Sequence, residues 1–488
     1  MDDPAPLSTE VIQILKDLNP WWDTGKLRRE PHPYHRRGVR ELIHRLSSPK
    51  GLIEILRGPR QVGKTTALEQ IVSALLDKGT RPTDILFVRF DQEVIQERAG
   101  GLVPVIRWFT KEIRKRPLED GDVTLVLLDE VHKLPKWADD VKHVGDTFPL
   151  RMVLTGSSSV LVAKGGRESL AGRVFTTEMP TFQFREVVEA WTDIGARLPA
   201  PHAFHKLYDP DPEPLFRPFH DLRPQARLTL RRHLERYFNR GGYPRLHNGE
   251  VGDDLWSEYL TETIFSRVLG VDVPDLFPVR NPQLLRWLYV EIARSTGQEV
   301  SQNRLAEFAN EAGFRTSQPH VGNYVHYLAD ALLIREFRRY PLSKRESART
   351  PSKITLTDLG ARTAVFRVAP SLWESPPDTV SPLIETLVQS VLRGPGIDVR
   401  FFRDYENSSD RRSPLKEVDF VLEDAGGQII PVEVKFRGKL DSKDFSGLEC
   451  FMKRFKPSHG IMVTRDTWEW NALTRILCVP LLDFLLAF

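Results

Sequence analysis

Gly58, four residues, then Gly63, Lys64 and Thr65 make the spacing of a phosphate-binding loop within GPRQVGKTT (58–66). Glycines let such a loop curl until its N–H groups face phosphate oxygens. The helix that follows adds the positive end of its dipole. Gly58, Pro59, Arg60, Gln61, Val62, Gly63, Lys64, Thr65 and Thr66 are therefore the candidate nucleotide contacts. Lys64 has the reach for β- and γ-phosphates, and the Thr65 hydroxyl can ligate Mg²⁺. The flanks agree: LIEIL (52–56) reads as a buried strand, and TALEQIVSALL (66–76) has helical apolar spacing. The expected ligand is a nucleoside triphosphate, ATP, with Mg²⁺.

A second acidic site should follow. TLVLLDE (124–130) is an apolar run that ends in Asp129-Glu130. A buried strand would carry these acids to the sheet edge where ligands bind in open α/β sheets. Asp129 can hold Mg²⁺ through water, and Glu130 can orient or deprotonate an attacking water. RMVLTGSSS (151–159) reads as a further strand that stops in small polar residues. Ser157 or Ser158 is the candidate sensor of the γ-phosphate; the alternative is a serine that only caps a helix. DILFVRFDQE (84–93) ends near Asp91, which either supports the Mg²⁺ shell or caps the next segment. Arg173 and Arg185 are candidates for an arginine that meets the γ-phosphate, in cis or in trans, or for surface ion pairs.

A separate constellation lies in KEVDFVLEDAGGQIIPVEVKFRG (416–438). Two strand-like runs flank the turn Asp424-Ala425-Gly426-Gly427. Glu433 and Lys435 share a strand face. An odd loop near 425–427 would set Asp419 opposite Glu433. Glu385 sits upstream on an amphipathic helix, SPLIETLVQSVL (381–392). Asp419, Glu433 and Glu385 could bind Mg²⁺, with Lys435 positioning or activating a water. An ordinary charged strand face would look similar. Arg403, Arg411, Arg412 and Lys416 would make the entrance basic, which suits a phosphodiester backbone.

The elements that must position these groups need several domains, because 488 residues exceed one hydrophobic core. A net charge of +3 is only mildly basic, so local clusters must carry any argument for nucleic acid. Two cysteines, Cys450 and Cys478, make neither a disulfide framework nor a zinc site, which suits a reducing cytoplasm. The first residues have no apolar signal region, and the longest apolar run, VPLLDFLLAF (479–488), is too short to cross a membrane. It reads as a packed strand or helix. Segment 195–225 reads as an irregular insertion, and 223–244 as a basic helix stopped by Gly241-Gly242. Arg223, Arg227, Arg231, Arg232, Arg236 and Arg240 recur along that helix and could meet DNA or only solvent. Residues 281–343 have the outline of a winged helix, with His320, Asn323 and His326 on its third helix. Arg335, Arg338, Arg339, Lys344 and Arg345 follow on its wing.

GPRQVGKTT, LLDEVHKLPKW, LTGSSS and SLAGR, in that order, resemble the AAA-type ATPases of a large bacterial and archaeal family. The opening NPWWDTGKLRREPHPYHRR (19–37) resembles that family's lead-in. The resemblance implies an α/β fold: a P-loop core of the additional-strand type, AAA+/STAND-like, then a helical lid, a winged helix and an α/β restriction-endonuclease-like domain. Boundaries follow at 1–49, 50–190, 191–275, 276–350 and 351–488. GGYP (241–244) resembles a STAND lid motif, which implies that Pro244 packs on adenine. Asp419, Glu433 and Lys435 resemble the PD-(D/E)XK nuclease constellation. The implied function is ATP hydrolysis on or with DNA, in repair, recombination or defence, by a homo-oligomer. The alternative is a nucleotide-dependent switch with a protein partner and a non-catalytic nuclease-like domain.

Overall fold

The computed structural model describes the chain apart from residues 1–6, 47–52, 119–123, 158–169, 171, 299, 342–351, 395 and 405–415. It divides into two units, Met1–Pro180 with Asp330–Leu332, and Thr181–Ala329 with Leu333–Phe488.

The first unit is built on five parallel strands: β1 (Ile53–Gly58), β2 (Ile85–Arg89), β3 (Thr124–Asp129), β4 (Leu150–Ser157) and β5 (Val174–Glu178). Leu125 to Leu128 of β3 are all buried, the pattern of a strand covered on both faces. The strand order is β2-β3-β4-β1-β5. The added strand β4 thus lies between the P-loop strand and the acidic strand, as the additional-strand reading requires. Parallel pairing brings the C-terminal ends of β1, β3 and β4 to one edge, with Gly58 opposite Ser157 and Leu128 opposite Leu154.

Helices flank this sheet along the chain. Helix α1 (Thr9–Leu18) precedes it, α2 (Lys64–Asp77) follows β1 and α3 (Trp137–Thr147) precedes β4. The NPWW lead-in has a physical role at the sheet edge. The Asn19 side chain accepts from the Phe87 N–H (2.7 Å) and donates to its carbonyl (2.8 Å). Trp21 and Trp22 both donate their indole N–H to the Ile85 carbonyl. Edge strand β2 is thereby closed to further pairing.

The second unit opens with helix α4 (Phe184–Trp191), followed by the basic helix α5 (Pro224–Arg240). Helices α6 (Pro282–Arg294), α7 (Gln302–Glu311) and α8 (Gln318–Asp330) lead to an antiparallel pair, β6 (Ile334–Arg338) and β7 (Ser352–Leu356). Ser301 caps α7 by accepting from the Arg304 N–H. The boundary expected at 350/351 separates two strands that pair, with Ile334 opposite Leu356. A six-stranded sheet follows helix α9 (Pro377–Val391): β8 (Asp398–Asp404), β9 (Lys416–Glu423), β10 (Ile429–Lys435), β11 (Gly460–Thr464), β12 (Glu469–Asn471) and β13 (Ile476–Pro480). Its order is β12-β13-β11-β10-β9-β8. Helix α10 (Ser446–Phe455) connects β10 to β11. The apolar tail forms β13 and helix α11 (Leu481–Leu486), both buried. Among the described residues no helix is long and apolar enough to cross a membrane.

Gly241 and Gly242 end α5 for a reason of close approach. Gly241 takes φ +73°, and a Cβ there would lie 1.7 Å from an Asp358 carboxylate oxygen. A Cβ on Gly242 would lie 1.9 Å from the Phe182 carbonyl oxygen. Buried Asp358 accepts from the N–H groups of Gly242 (2.8 Å) and Gly360 (2.9 Å). GGYP is therefore a packed knot within this unit, and Pro244 starts a single helical turn, Pro244–Leu246.

Four of the six arginines on or beside α5 are paired inside the same unit. Arg227 binds Asp483, Arg231 binds Asp466, and Arg236 and Arg240 share Asp253. Arg231 also lies 3.8 Å from the Trp373 ring centroid. The helix is thus mainly an internal ion-pair lattice, not the uniform basic face that its sequence suggests.

Candidate functional site

The P-loop joins β1 to α2, and its two outer glycines have separate causes. Gly63 takes φ +93°, a left-handed conformation that favours glycine. A Cβ on Gly58 would sit 2.2 Å from the Met179 carbonyl oxygen, so β5 admits only glycine there. Val62 is buried beneath the loop and fixes its underside. Lys64 is buried, and its ammonium donates to the carbonyls of Gly58 (3.0 Å) and Pro59 (2.9 Å). The charge is therefore held within the loop, where an anionic phosphate can compete with neutral carbonyls for it.

Asp129, at the end of β3, is 1% exposed. The Thr65 hydroxyl donates to its Oδ2 (2.8 Å), and the Thr155 hydroxyl donates to its Oδ1. Arg89 stands opposite on β2, with Nε 3.8 Å from Asp129 and a closer contact of 2.7 Å to Asp91. Asp91 thus pairs with Arg89, which itself stands beside Asp129. The hydrogen-bond donors to Asp129 are hydroxyls and Arg89 stays at 3.8 Å, so the Thr65 and Asp129 oxygens fit a magnesium ion that keeps several waters.

Glu130 follows in a left-handed conformation, φ 52°, uncommon for a residue with a side chain. Its N–H donates to Thr155 Oγ1 (3.3 Å), which fixes the turn that projects the carboxylate. Glu130 Oε2 lies 3.4 Å from His132 Nδ1. Burial, helped by Lys133, Lys64 and Arg60, lowers His132 to about 4, so it is neutral beside Glu130.

Thr155 escaped the sequence reading. It is buried on β4, two residues before Ser157, and the alternation of a strand sets both on one face. That spacing was the available signal. Ser157 ends β4 opposite Gly58; Ser158 lies outside the described residues.

The two candidate arginines stand elsewhere. Arg173 precedes β5 and pairs with Asp146 at 3.3 Å. Val174 is level with Ile53 at the start of β1, so Arg173 is at the sheet edge opposite the P-loop, roughly 15 Å away at strand rise. It does not reach the phosphate site of its own chain. Arg185 is buried in the second unit and donates to Glu189, Leu486 and Pro199. It holds the C-terminal helix in place.

In the C-terminal sheet the predicted acids do converge. Val432 pairs with Phe420, so Asp419 and Glu433 face each other. The Asp419 N–H donates to Glu433 Oε2 (3.2 Å), and Asp419 Oδ2 accepts from the Val434 N–H (2.9 Å). Lys435 donates to Glu433 Oε1. An unforeseen member, Lys353 of β7, donates to Glu385 Oε2. Burial, and then Asp419, raise the Glu385 carboxyl to about 7; the same two causes raise Glu433 strongly. Burial works against the charge on Lys435, but Glu433 and Asp419 outweigh it and hold the ammonium well above its usual range. Of the expected Mg²⁺ ligands, Glu385 and Glu433 therefore stand as lysine–carboxylate pairs, and Asp419 accepts from a backbone N–H. Among the described residues no three His, Cys, Asp or Glu side chains are disposed to hold a metal. Arg411, Arg412, Lys344 and Arg345 lie outside the described residues.

The family model of an AAA domain matches residues 50–188. Two models of domains of unknown function match residues 231–372 (DUF8612) and 383–482 (DUF4143). An uncharacterized protein of Haemophilus influenzae is 20% identical over 435 residues, covering 89% of this chain and 94% of that protein. Another, from Methanocaldococcus jannaschii, is 23% identical over 288 residues, covering 58% and 55%. Among solved structures, a Walker-type ATPase of Pyrococcus abyssi covers 70% of this chain and 99% of its own, at 17% identity and a TM-score of 0.37. The Aeropyrum pernix ORC1 protein in complex with DNA covers 71% and 96%, at 15% identity and a TM-score of 0.29. Scores of this size carry no argument about the whole chain. The sheet order and the P-loop fit a P-loop ATPase α/β core over the residues 50–188 that match the AAA-domain model.

Proposed function

We propose that the chain binds and hydrolyses ATP at the P-loop of its first unit and couples turnover to DNA. One observation carries the enzymatic part: Asp129 is held by two hydroxyls beside Lys64, with Glu130 next to it in a strained turn. The loop N–H groups and Lys64 bind the triphosphate. Thr65 and Asp129 would hold Mg²⁺, whose chemistry is to neutralise charge on the phosphates. Glu130 takes a proton from the attacking water or orients it, and His132 beside it is neutral. Ser157 ends the neighbouring strand and senses the γ-phosphate. A homo-oligomer lets Arg173 of one copy act on another.

Support for DNA comes from the order of α6, α7, α8 and the β6–β7 pair, a winged-helix outline, with Asn323 and His326 exposed on α8. The test is ATPase rate with and without a panel of DNA forms, run beside native mass. A rate that rises with DNA supports the proposal. A second reading is a nucleotide-dependent switch with a protein partner and a non-catalytic nuclease-like domain. The internally paired arginines of α5 and the lysine-paired acids favour it. An ATPase rate indifferent to every DNA form selects the switch.

A further inference from the structure

A strand outside the acidic motif of the C-terminal sheet supplies one of its acids with a cation. β7 pairs with β6 and carries Lys353, which is 4% exposed. Its ammonium meets Glu385 of α9 and lies 5.7 Å from the centroid of the Phe420 ring, next in sequence to Asp419. Glu433 is 2% exposed and takes Lys435 on one oxygen and the Asp419 N–H on the other. Glu417, at the rim, is paired with Arg403 at 3.3 Å. Three buried or half-buried carboxylates, Glu385, Asp419 and Glu433, thus share two tethered ammonium groups, Lys353 and Lys435.

We infer that Lys353 is a built-in cation that occupies the charge position of a divalent metal, so that this cluster latches β7 onto helix α9 and is not a metal-dependent nuclease site. Mg²⁺ needs near-ideal octahedral oxygen geometry and gives up its waters reluctantly. Here Glu433 and Glu385 each already accept from a lysine ammonium, which offsets the charge that would hold a metal. A second cation beside the Lys353 ammonium would be repelled at short range in a site of low effective dielectric. The residues present therefore do not fit a resident magnesium ion.

The inference is independent of the P-loop reading, because the test omits nucleotide. Full-length protein is titrated with Mn²⁺ and bound ions are counted by electron paramagnetic resonance, for wild type and Asp419→Asn. The two should bind alike. An ion bound by wild type and lost in Asp419→Asn overturns the inference. The variant Lys353→Ala should then gain Mn²⁺ affinity of about tenfold or more over wild type, because a repelling charge has gone. Its melting temperature should rise with added Mn²⁺ while that of wild type stays level. A Lys353→Ala protein that takes up no more Mn²⁺ than wild type also overturns it. If that variant does not fold without metal, recovery of a melting transition on adding Mn²⁺ supports the latch and no recovery counts against it. The wild-type comparison decides in either case.

Discussion

At the P-loop, buried Asp129 is held by the hydroxyls of Thr65 and Thr155; in the C-terminal sheet, Glu385 and Glu433 are each held by a lysine ammonium. Both places set acids beside a lysine, and by residue type alone they look alike. The donors separate them. A hydroxyl satisfies a carboxylate oxygen without cancelling its charge, so Asp129 still attracts a cation. An ammonium cancels the charge, and the acid is left as part of the packing. Lys64 donates to two backbone carbonyls, which a phosphate can replace.

The largest effect that would break this comparison is kinetic. Lys64→Ala should lower ATP turnover by about a hundredfold or more, as for loss of one donor to a developing charge. Glu130→Gln should cost about 10²–10⁴ in rate while ATP binding persists. Steady-state turnover and equilibrium nucleotide binding check both, and normal turnover in either variant rejects the assigned roles.

Next comes the latch. Lys353→Met should destabilise the protein by about 3–5 kcal/mol, because Glu385 is left buried without a partner. Lys353→Met with Glu385→Leu should recover most of that, since replacing a whole buried pair is often neutral. Urea unfolding of the two variants measures the difference. A single variant as stable as wild type would mean that the pair is an exposed contact of little weight.

Gly242→Ala should cost about 1–3 kcal/mol by overpacking, because its Cβ would meet the backbone carbonyl of Phe182, which cannot step aside. ATP binding at the P-loop should be unchanged. Loss of melting stability with intact ATP binding is the expected pattern.

The smallest effect is in pH. Burial lowers His247 to about 4, and its Nε2 lies 2.8 Å from the Gly241 carbonyl. The unfolded chain binds this proton near pH 6.5 and the folded one near 4. The stability from neutral His247 is therefore present above pH 6.5 and is lost as pH falls toward 4. One unit below the unfolded value the expected loss is about 1 kcal/mol. His247→Gln should flatten that part of the stability curve in acid titrations followed by melting temperature.

Local pattern made part of this legible. The glycine–lysine spacing, the apolar strands and the hairpin register that faces Asp419 with Glu433 are all short-range signals. Thr155, Lys353 and Asp358 were not legible, because what matters about each is a distant partner. Lys353 meets an acid 32 residues on, and four of the five residues of its strand are buried, so alternation gives no mark. Asp358 is 116 residues from Gly242 and looks like an ordinary helix cap. The arginine spacing of α5 misled for the same reason: Asp483 and Asp466 lie far along the chain.

The contrast between the two acidic sites is tested most directly by counting Mn²⁺ ions bound per chain, with and without saturating ATP. The account predicts a single ion that arrives with the nucleotide and is lost in Asp129→Asn but kept in Asp419→Asn. An ion that Asp129→Asn retains, or none bound with ATP, would contradict it.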